Sequence, residues 1–216
     1  MNNGGHHARS VVMKARCGKH SESMEKRKIE NKSKIAELIK ESIKVKEELL
    51  SPENIKLIGE ISQEVVKTLK KGGKILFCGN GGSAADSQHL AAEFVGRFKK
   101  ERKAISALSL TTNTSILTAI SNDYNFKNVF SRQVQALGKK GDLLIGISTS
   151  GNAENVILAV KAAKKIGIKT VGLSGKRGGK LAKISDISFV VPSNDTARIQ
   201  EAHILIGHIL AEIAER

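Results

Sequence analysis

Residues 74–89 read KILFCGNGGSAADSQH, an apolar run of strand length that passes through three glycines into a helical pattern. The run is typical of a buried strand, and Gly79, Gly81 and Gly82 permit a tight turn in which the backbone approaches a ligand closely. Ser83 is placed to cap the following helix, whose free N–H groups favour an anion or polar oxygens. The stretch predicts a strand–loop–helix unit with a ligand-binding loop.

The same alternation of strand and helix continues to the end of the chain. The predicted strands are continuously apolar, which is typical of a parallel sheet buried on both faces. We therefore expect an α/β fold with a five-stranded, parallel, doubly wound sheet flanked by helices. The predicted strands are residues 74–78, 104–110, 142–147, 169–173 and 187–191, and the helices are 83–98, 114–121, 126–137, 152–166, 178–184 and 197–215.

Two helices are expected before the sheet, as an N-terminal helical hairpin. The first carries a stripe that we expect to face the core, formed by Ile35, Leu38, Ile39 and Ile43. The second begins at Ser51-Pro52-Glu53, an N-cap followed by a proline and an acid, and runs to about Lys70. Residues 1–32 lack hydrophobic periodicity and are predicted to be a disordered basic extension, and residues 33–216 to be one domain.

Composition excludes several classes of protein. The formal net charge is +15, but the charges outside the first 32 residues are spread along helices, and aromatic residues are only 3% with no Trp. A basic, solvated surface that attracts anionic metabolites therefore explains the charge better than a nucleic-acid site does. No apolar run approaches the ~20 residues of a membrane span. Cys17 and Cys78 form no disulfide framework, which favours a reducing cytoplasm.

The first loop does not predict a nucleotide cofactor. Residues 79–84 fit the loose dinucleotide pattern G-x-G-x-x-A, but that pattern expects an acid at the end of the next strand, where Thr111 and Thr112 stand instead. Gly175-Lys176 lacks the remainder of a P-loop.

Chemistry is instead indicated on the helix after this loop. His89 and Glu93 are four residues apart and share one face, so they can hold a divalent metal or act as acid and base. An ordinary surface hydrogen bond is the alternative for this pair. Arg97, one turn further, is placed either to contact a phosphate or an acid, or to lie at the surface as an ordinary Arg.

The second loop is Ser148-Thr149-Ser150-Gly151-Asn152, which follows the strand DLLIGI. Three hydroxyls and backbone N–H groups at a helix N-terminus predict a phosphate site. A helix cap is the alternative, but a cap needs only one hydroxyl.

The last helix carries Gln200, His203 and His208. His203 lies among apolar residues and is expected to be a core histidine. Gln200 and His208 differ by ~80° around the axis and ~12 Å along it. They either converge on one substrate or serve two different subunits, and the sequence leaves both arrangements open.

Taken together, four segments resemble the phosphoheptose isomerases of the sugar-isomerase (SIS) domain superfamily over residues 35–215. The segments are CGNGGSAADSQHLAAEFVGRF, SNDYNF, GISTSGN and ARIQEAHILIGHIL. The resemblance implies a cytoplasmic homotetramer with active sites between subunits. It also implies conversion of sedoheptulose 7-phosphate to D-glycero-D-manno-heptose 7-phosphate, the first step of nucleotide-heptose synthesis for cell-surface glycans such as lipopolysaccharide.

The resemblance also implies roles for individual residues. Glu93 is the implied base and His208 its partner acid. Zn²⁺ is implied at His89, Glu93, Gln200 and His208, while Gln200 and Glu93 also contact substrate. The implied sugar contacts are Asn80, Gly81, Gly82, Asn122 and Asp123, and the implied phosphate contacts are Ser148, Thr149 and Ser150.

One residue departs from the family pattern, and two rival functions stay open. The family commonly has Ser after STSGN, where this chain has Ala153, so one substrate hydroxyl is missing. A non-catalytic SIS regulator that binds a replication initiator is the first rival, although such proteins tend to lack the catalytic Glu. An SIS isomerase acting on another phosphosugar is the second.

Overall fold

The computed structural model describes residues 30–216, which fold into eight α-helices, one short 3₁₀ turn and five strands. Of the predicted extension, residues 1–32, only the last three lie within the described residues, and these are helical. The helices are α1 (30–48), α2 (Pro52–Lys70), α3 (Gly82–Val95), α4 (Thr114–Asp123), α5 (Val129–Leu137), α6 (Glu154–Lys165), α7 (Gly179–Ile184) and α8 (Thr196–Ala214), with the 3₁₀ turn at Phe126–Asn128. The strands are β1 (Ile75–Cys78), β2 (Ala107–Ser109), β3 (Leu143–Ser148), β4 (Lys169–Ser174) and β5 (Ile187–Val190).

All five strands are parallel and lie in the order β2-β1-β3-β4-β5, which confirms the predicted sheet. The chain adds β2 on one side of β1 and then crosses to add β3 on the other. The point between β1 and β3 is therefore the topological switch point, and in such sheets ligands bind beyond the carboxyl ends of the strands there. The two predicted loops follow these two strands.

Two apolar clusters fill the two faces of the sheet. One packs α2, α3 and α8 against residues such as Phe77 and Ile145, and the other packs α5 and α6 against Leu76 and Leu144. Successive strand residues thus point into opposite clusters, which explains why these strands are apolar throughout. The described residues contain no helix that is both long and apolar enough to cross a bilayer.

The two helices before the sheet, α1 and α2, form as predicted, but the prediction of what the α1 stripe packs against is wrong. Helix α2 begins as expected, because Ser51 Oγ accepts the N–H of Asn54 at 3.3 Å and Pro52 is its first residue. The chain divides within α1, between Lys44 and Val45, into two compact units, the second of which holds the sheet. The α1 stripe that was expected to face the core is exposed instead, from 40% at Leu38 to 57% at Ile35.

Candidate active site

The two loops lie together at the switch point. Cys78 at the end of β1 is paired with Gly146 of β3, so the chain leaves both strands at the same edge of the sheet. Asn80 of the first loop and Asn155 of α6 exchange two hydrogen bonds, each 2.8 Å from Nδ2 to Oδ1. Asn155 is buried and was missed by the sequence analysis, since the residue is separated from Asn80 by most of two strand–helix units. This amide pair fixes one loop against the other.

The first loop turns on its glycines, but Ser83 does not cap the helix. Gly81 has φ +56° and is itself the N-cap of α3, which begins at Gly82 with no side-chain cap. Ser83 is buried in the first turn, with its N–H donating to Asn80 O at 3.0 Å. The predicted cap is wrong because the N-cap is Gly81, two residues before Ser83. A Cβ on Gly79 would lie 2.6 Å from the Ser83 carbonyl oxygen, so the turn requires glycine there.

Helices α3 and α8 bring His89, Glu93 and His208 into one cluster. Nε2 of His89 lies 2.8 Å from Nε2 of His208 and 3.2 Å from Oε1 of Glu93. One ligand atom from each of the three residues lies within 4.8 Å of the other two. The i,i+4 pair was predicted from spacing alone, whereas His208 is 119 residues away from His89 in sequence.

The cluster offers the nitrogen and oxygen ligand atoms that zinc prefers in proteins. Nε2 of His89 and Nε2 of His208 face each other, and only one of them can carry the proton of a hydrogen bond between them. A cation bound between the two nitrogens and the Glu93 carboxylate would instead be a partner for all three groups. Burial lowers the pKa of His208, His89 lowers the pKa further, and Glu93 opposes both. A neutral imidazole is the form that binds metal or accepts a proton.

Gln200 lies beside the first loop, next to Asp86. The Gln200 side chain lies against Gly82, and its Nε2 donates to Asp86 Oδ1 at 3.4 Å. Asp86 is one turn before His89 on α3, so Gln200 approaches the same helix face from α8. Burial raises the pKa of Asp86, with Gln200 and His89 acting against that rise. The other oxygen, Oδ2, is buried and has no hydrogen-bond partner among the described residues. Asp86 was missed, although it stands in the loop segment itself.

The serine hydroxyls of the second loop bond within the loop and not to the helix that follows. Ser148 Oγ lies 3.4 Å from Ser150 Oγ, which also accepts the N–H of Asn152 at 3.2 Å, and Gly151 turns the chain with φ +65°. Helix α6 begins after Ala153, which is the N-cap and provides no side-chain cap. None of the three hydroxyls therefore caps this helix, so the alternative of a helix cap is wrong.

Three further predicted residues lie apart from the cluster, and a fourth lies inside the core. Asn122 and Asp123 are exposed at the end of α4, where Asn122 Nδ2 donates to Asp123 Oδ1 at 2.9 Å. Arg97 lies at the surface and pairs with an acid, Glu101, across 3.7 Å. His203 is fully buried, with Nε2 donating to Ser174 O at 3.1 Å, which confirms the core assignment.

Comparison with known proteins gives one consistent result. Residues 39–175 match the SIS domain family. The chain is 57% identical to the phosphoheptose isomerase of Clostridium acetobutylicum over 179 residues, covering 82% of this chain and 91% of the relative. Among solved structures, it resembles the phosphoheptose isomerase of Neisseria gonorrhoeae with a TM-score of 0.80 at 45% identity, over 85% of this chain and 98% of that one. The enzyme from Francisella tularensis also gives a TM-score of 0.80, at 37% identity over 84% and 96%.

Proposed function

This chain belongs to the SIS-domain family and, within it, to the phosphoheptose isomerases, and from that premise we propose that it converts sedoheptulose 7-phosphate to D-glycero-D-manno-heptose 7-phosphate. The reaction is an aldose–ketose isomerisation that begins nucleotide-heptose synthesis. The observation that carries the proposal is the meeting of His89, Glu93 and His208 between α8 and α3, the helix that begins at the first loop. A binding protein would need the loops but not a base and an acid.

The reaction moves one proton between neighbouring carbons. Glu93 takes a proton from C1 of the ketose while His208 gives one to the C2 oxygen, which forms an enediol. His208 then removes the proton from the C1 oxygen, and Glu93 returns its proton to C2, which leaves the aldehyde at C1. No electrons leave the substrate, so no redox cofactor is required. The lowered pKa of His208 favours the neutral form that the second step requires, while Glu93 favours the protonated form that the first step requires.

Zinc fits the same residues. His89, Glu93 and His208 offer two nitrogens and a carboxylate oxygen, and Gln200, whose side chain lies against Gly82 and Asp86, would offer its amide oxygen as a fourth ligand. When bound, the ion stabilises negative charge on the two substrate oxygens.

The loops divide the substrate between them. Ser148, Thr149 and Ser150 bind the phosphate with the backbone of their loop, while Asn80, Gly81 and Gly82 face the sugar hydroxyls. The pairing of Asn80 with Asn155 supports this division because it fixes the amide at the junction of the two loops. Asn122 and Asp123 complete the sugar site, and their exposure is compatible with a contribution to a neighbouring subunit's substrate.

A homotetramer in the cytoplasm is the form in which we expect the enzyme to act. The exposed side chains of Ile35, Ile39 and Ile43 on α1 support an assembly, since a large exposed apolar patch is typical of a protein–protein interface. The buried, unpaired thiol of Cys78 is compatible with a reducing compartment. The rival role of a non-catalytic regulator leaves the juxtaposition of Glu93 and His208 without a purpose.

Substitution of Glu93 tests the function. Glu93→Gln keeps the size of the side chain and removes the base, so turnover of sedoheptulose 7-phosphate should fall by about 10²- to 10⁴-fold with an unchanged circular dichroism spectrum. Glu60→Gln, at an exposed position of α2, is the matched control. Full turnover by Glu93→Gln would contradict the proposal. A panel of ketose phosphates, assayed with and without a zinc chelator, distinguishes the heptose from other phosphosugars.

A further inference from the structure

The segment between α3 and β2 is held by a single buried carboxylate from the end of the chain. Glu215, just after α8, accepts the backbone N–H groups of Phe98, Lys99 and Lys100 at 2.8, 2.8 and 3.0 Å. Its side chain is only 1% exposed. Burial pushes the pKa of this carboxyl up, but the three N–H groups and Arg102 outweigh burial and hold the pKa at about 2. Glu215 is therefore ionised throughout the physiological range.

Arg102 joins this carboxylate to the end of α3. Its Nε donates to Glu215 Oε1 at 2.9 Å, and its Nη1 donates to the carbonyls of Phe94 and Gly96 at 2.9 and 3.0 Å. Its Nη2 donates to the carbonyl oxygen of Glu93 at 2.8 Å. Helix-end carbonyls lack partners within the helix, and the guanidinium satisfies several of them at once. One of these carbonyls belongs to the residue to which we assign the role of base.

Phe98 extends the same arrangement to the other catalytic group. The Phe98 ring stacks on the His208 ring, with centroids 5.4 Å apart and planes 26° from parallel. The Phe98 N–H is one of the three that Glu215 holds. One face of the imidazole is thus packed, and its Nε2 is directed at His89.

We propose that Arg102 and Glu215 are positioning residues for the isomerisation: Arg102 holds the backbone of Glu93, and Glu215 holds Phe98 against His208, so that one ion pair sets the distance between base and acid. The inference rests on the proposed function, because it assigns these residues a role in that reaction. Misplacement of a catalytic group by about 1 Å can lower the rate by about 100-fold.

The chain provides a matched control in a second buried carboxylate. Asp142, just before β3, accepts the N–H groups of Lys74 and Lys139 at 3.0 and 2.9 Å and pairs with the Lys74 ammonium. Its side chain is fully buried. Asp142 therefore resembles Glu215 in burial, charge and backbone contacts, but its contacts are with Lys74 and Lys139 and not with α3, α8 or the segment between α3 and β2.

The test compares Glu215→Gln with Asp142→Asn in the full chain. Each neutral amide places an NH₂ group against backbone donors, so we expect both variants to melt at lower temperature. Only Glu215→Gln should lower kcat for sedoheptulose 7-phosphate, by about 10- to 100-fold, with KM within about twofold. It should also weaken binding of Zn²⁺ alone by about tenfold or more, because ligand placement sets affinity. Equal kcat and zinc affinity in the two variants would overturn the inference.

A second variant covers the case in which Glu215→Gln does not fold. Phe98→Leu removes only the ring that stacks on His208, while Phe98→Tyr keeps it. In metal-free protein, the NMR signal of the His208 ring should lose its ring-current shift in Phe98→Leu and keep it in Phe98→Tyr. The rate should fall only in the former. If the His208 signal of Phe98→Leu kept its wild-type position and the rate stayed normal, the positioning role would be refuted.

Failure of the proposed function would be distinguishable. If the wild-type chain isomerised no ketose phosphate, that function would be wrong, yet the zinc affinity and the His208 signal would still test the positioning of the cluster. If the wild-type chain is active and Glu215→Gln behaves as Asp142→Asn does, only the further inference is wrong.

Discussion

Helix α8 carries two histidines five residues apart, and their surroundings give them opposite properties. His203 is fully buried, with Nε2 fixed on the Ser174 carbonyl and Nδ1 without a partner among the described residues. His208 is partly exposed, with Nε2 directed at His89 and its ring stacked on Phe98. Burial lowers the pKa of both, to about 4 for His203. The comparison teaches that the groups facing an imidazole, and not its helix, decide whether it stabilises the fold or does chemistry.

The largest expected effect comes from removing His208. His208→Gln should lower kcat by about 10²- to 10⁴-fold, because the oxygen protons of the enediol lose their carrier. The unfolding free energy in urea should change little, since the site is open to solvent. His203→Leu is the paired variant, and its kcat should stay within about twofold of wild type. A normal rate for His208→Gln would remove the distinction between the two histidines.

We expect the free energy of unfolding to fall at acid pH because of His203. An unfolded histidine titrates near 6.5, whereas burial lowers the folded pKa to about 4, so the unfolded state binds the proton first. The stabilisation is complete above about pH 6.5 and is lost as the pH falls towards 4, in total about 3 kcal/mol.

Urea unfolding of wild type and His203→Leu between pH 7.5 and 4.5 measures this loss. Carboxylates also titrate in this range, so the relevant quantity is the difference between the two proteins. The His203→Leu substitution leaves the Ser174 carbonyl oxygen with a partner, because the Val191 N–H also donates to it, at 2.8 Å. Parallel pH profiles for both proteins would show that His203 does not contribute.

Zinc should give the smallest of the three effects and separate the histidines again. A ligand at about 100 times its Kd stabilises a protein by about 2.7 kcal/mol. Zn²⁺ should therefore raise the melting temperature of wild type and of His203→Leu alike, and raise that of His208→Gln less. Equal shifts in all three proteins would place the ion elsewhere.

Local patterns predicted most of the fold. The cap at Ser51 was predicted because an N-cap, a proline and an acid act within one turn. The i,i+4 spacing likewise placed His89 beside Glu93. The first loop was less predictable, because the positive φ of Gly81 moved the helix start away from Ser83.

Long-range contacts account for what the sequence did not reveal. Arg102 stands in the charged run KKERK and shows no pattern that separates it from its neighbours, yet it meets Glu215 across 113 residues. Predicted strand 104–110 shortened to β2, residues 107–109, next to this ion pair. The prediction that the α1 stripe faces the core was wrong because the period of a helix predicts an apolar face but not the surface that covers it.

Deuterium transfer tests the central claim most directly. The full chain is incubated with sedoheptulose 7-phosphate in D₂O, and the products are followed by NMR. Because the proton held by Glu93 exchanges with D₂O before its return, we expect the wild-type chain to form the aldose with deuterium at C2 and to exchange a C1 hydrogen of the ketose, and Glu93→Gln to do neither. Isomerisation or exchange by Glu93→Gln at the wild-type rate would contradict the account, since the proton would then pass through another group.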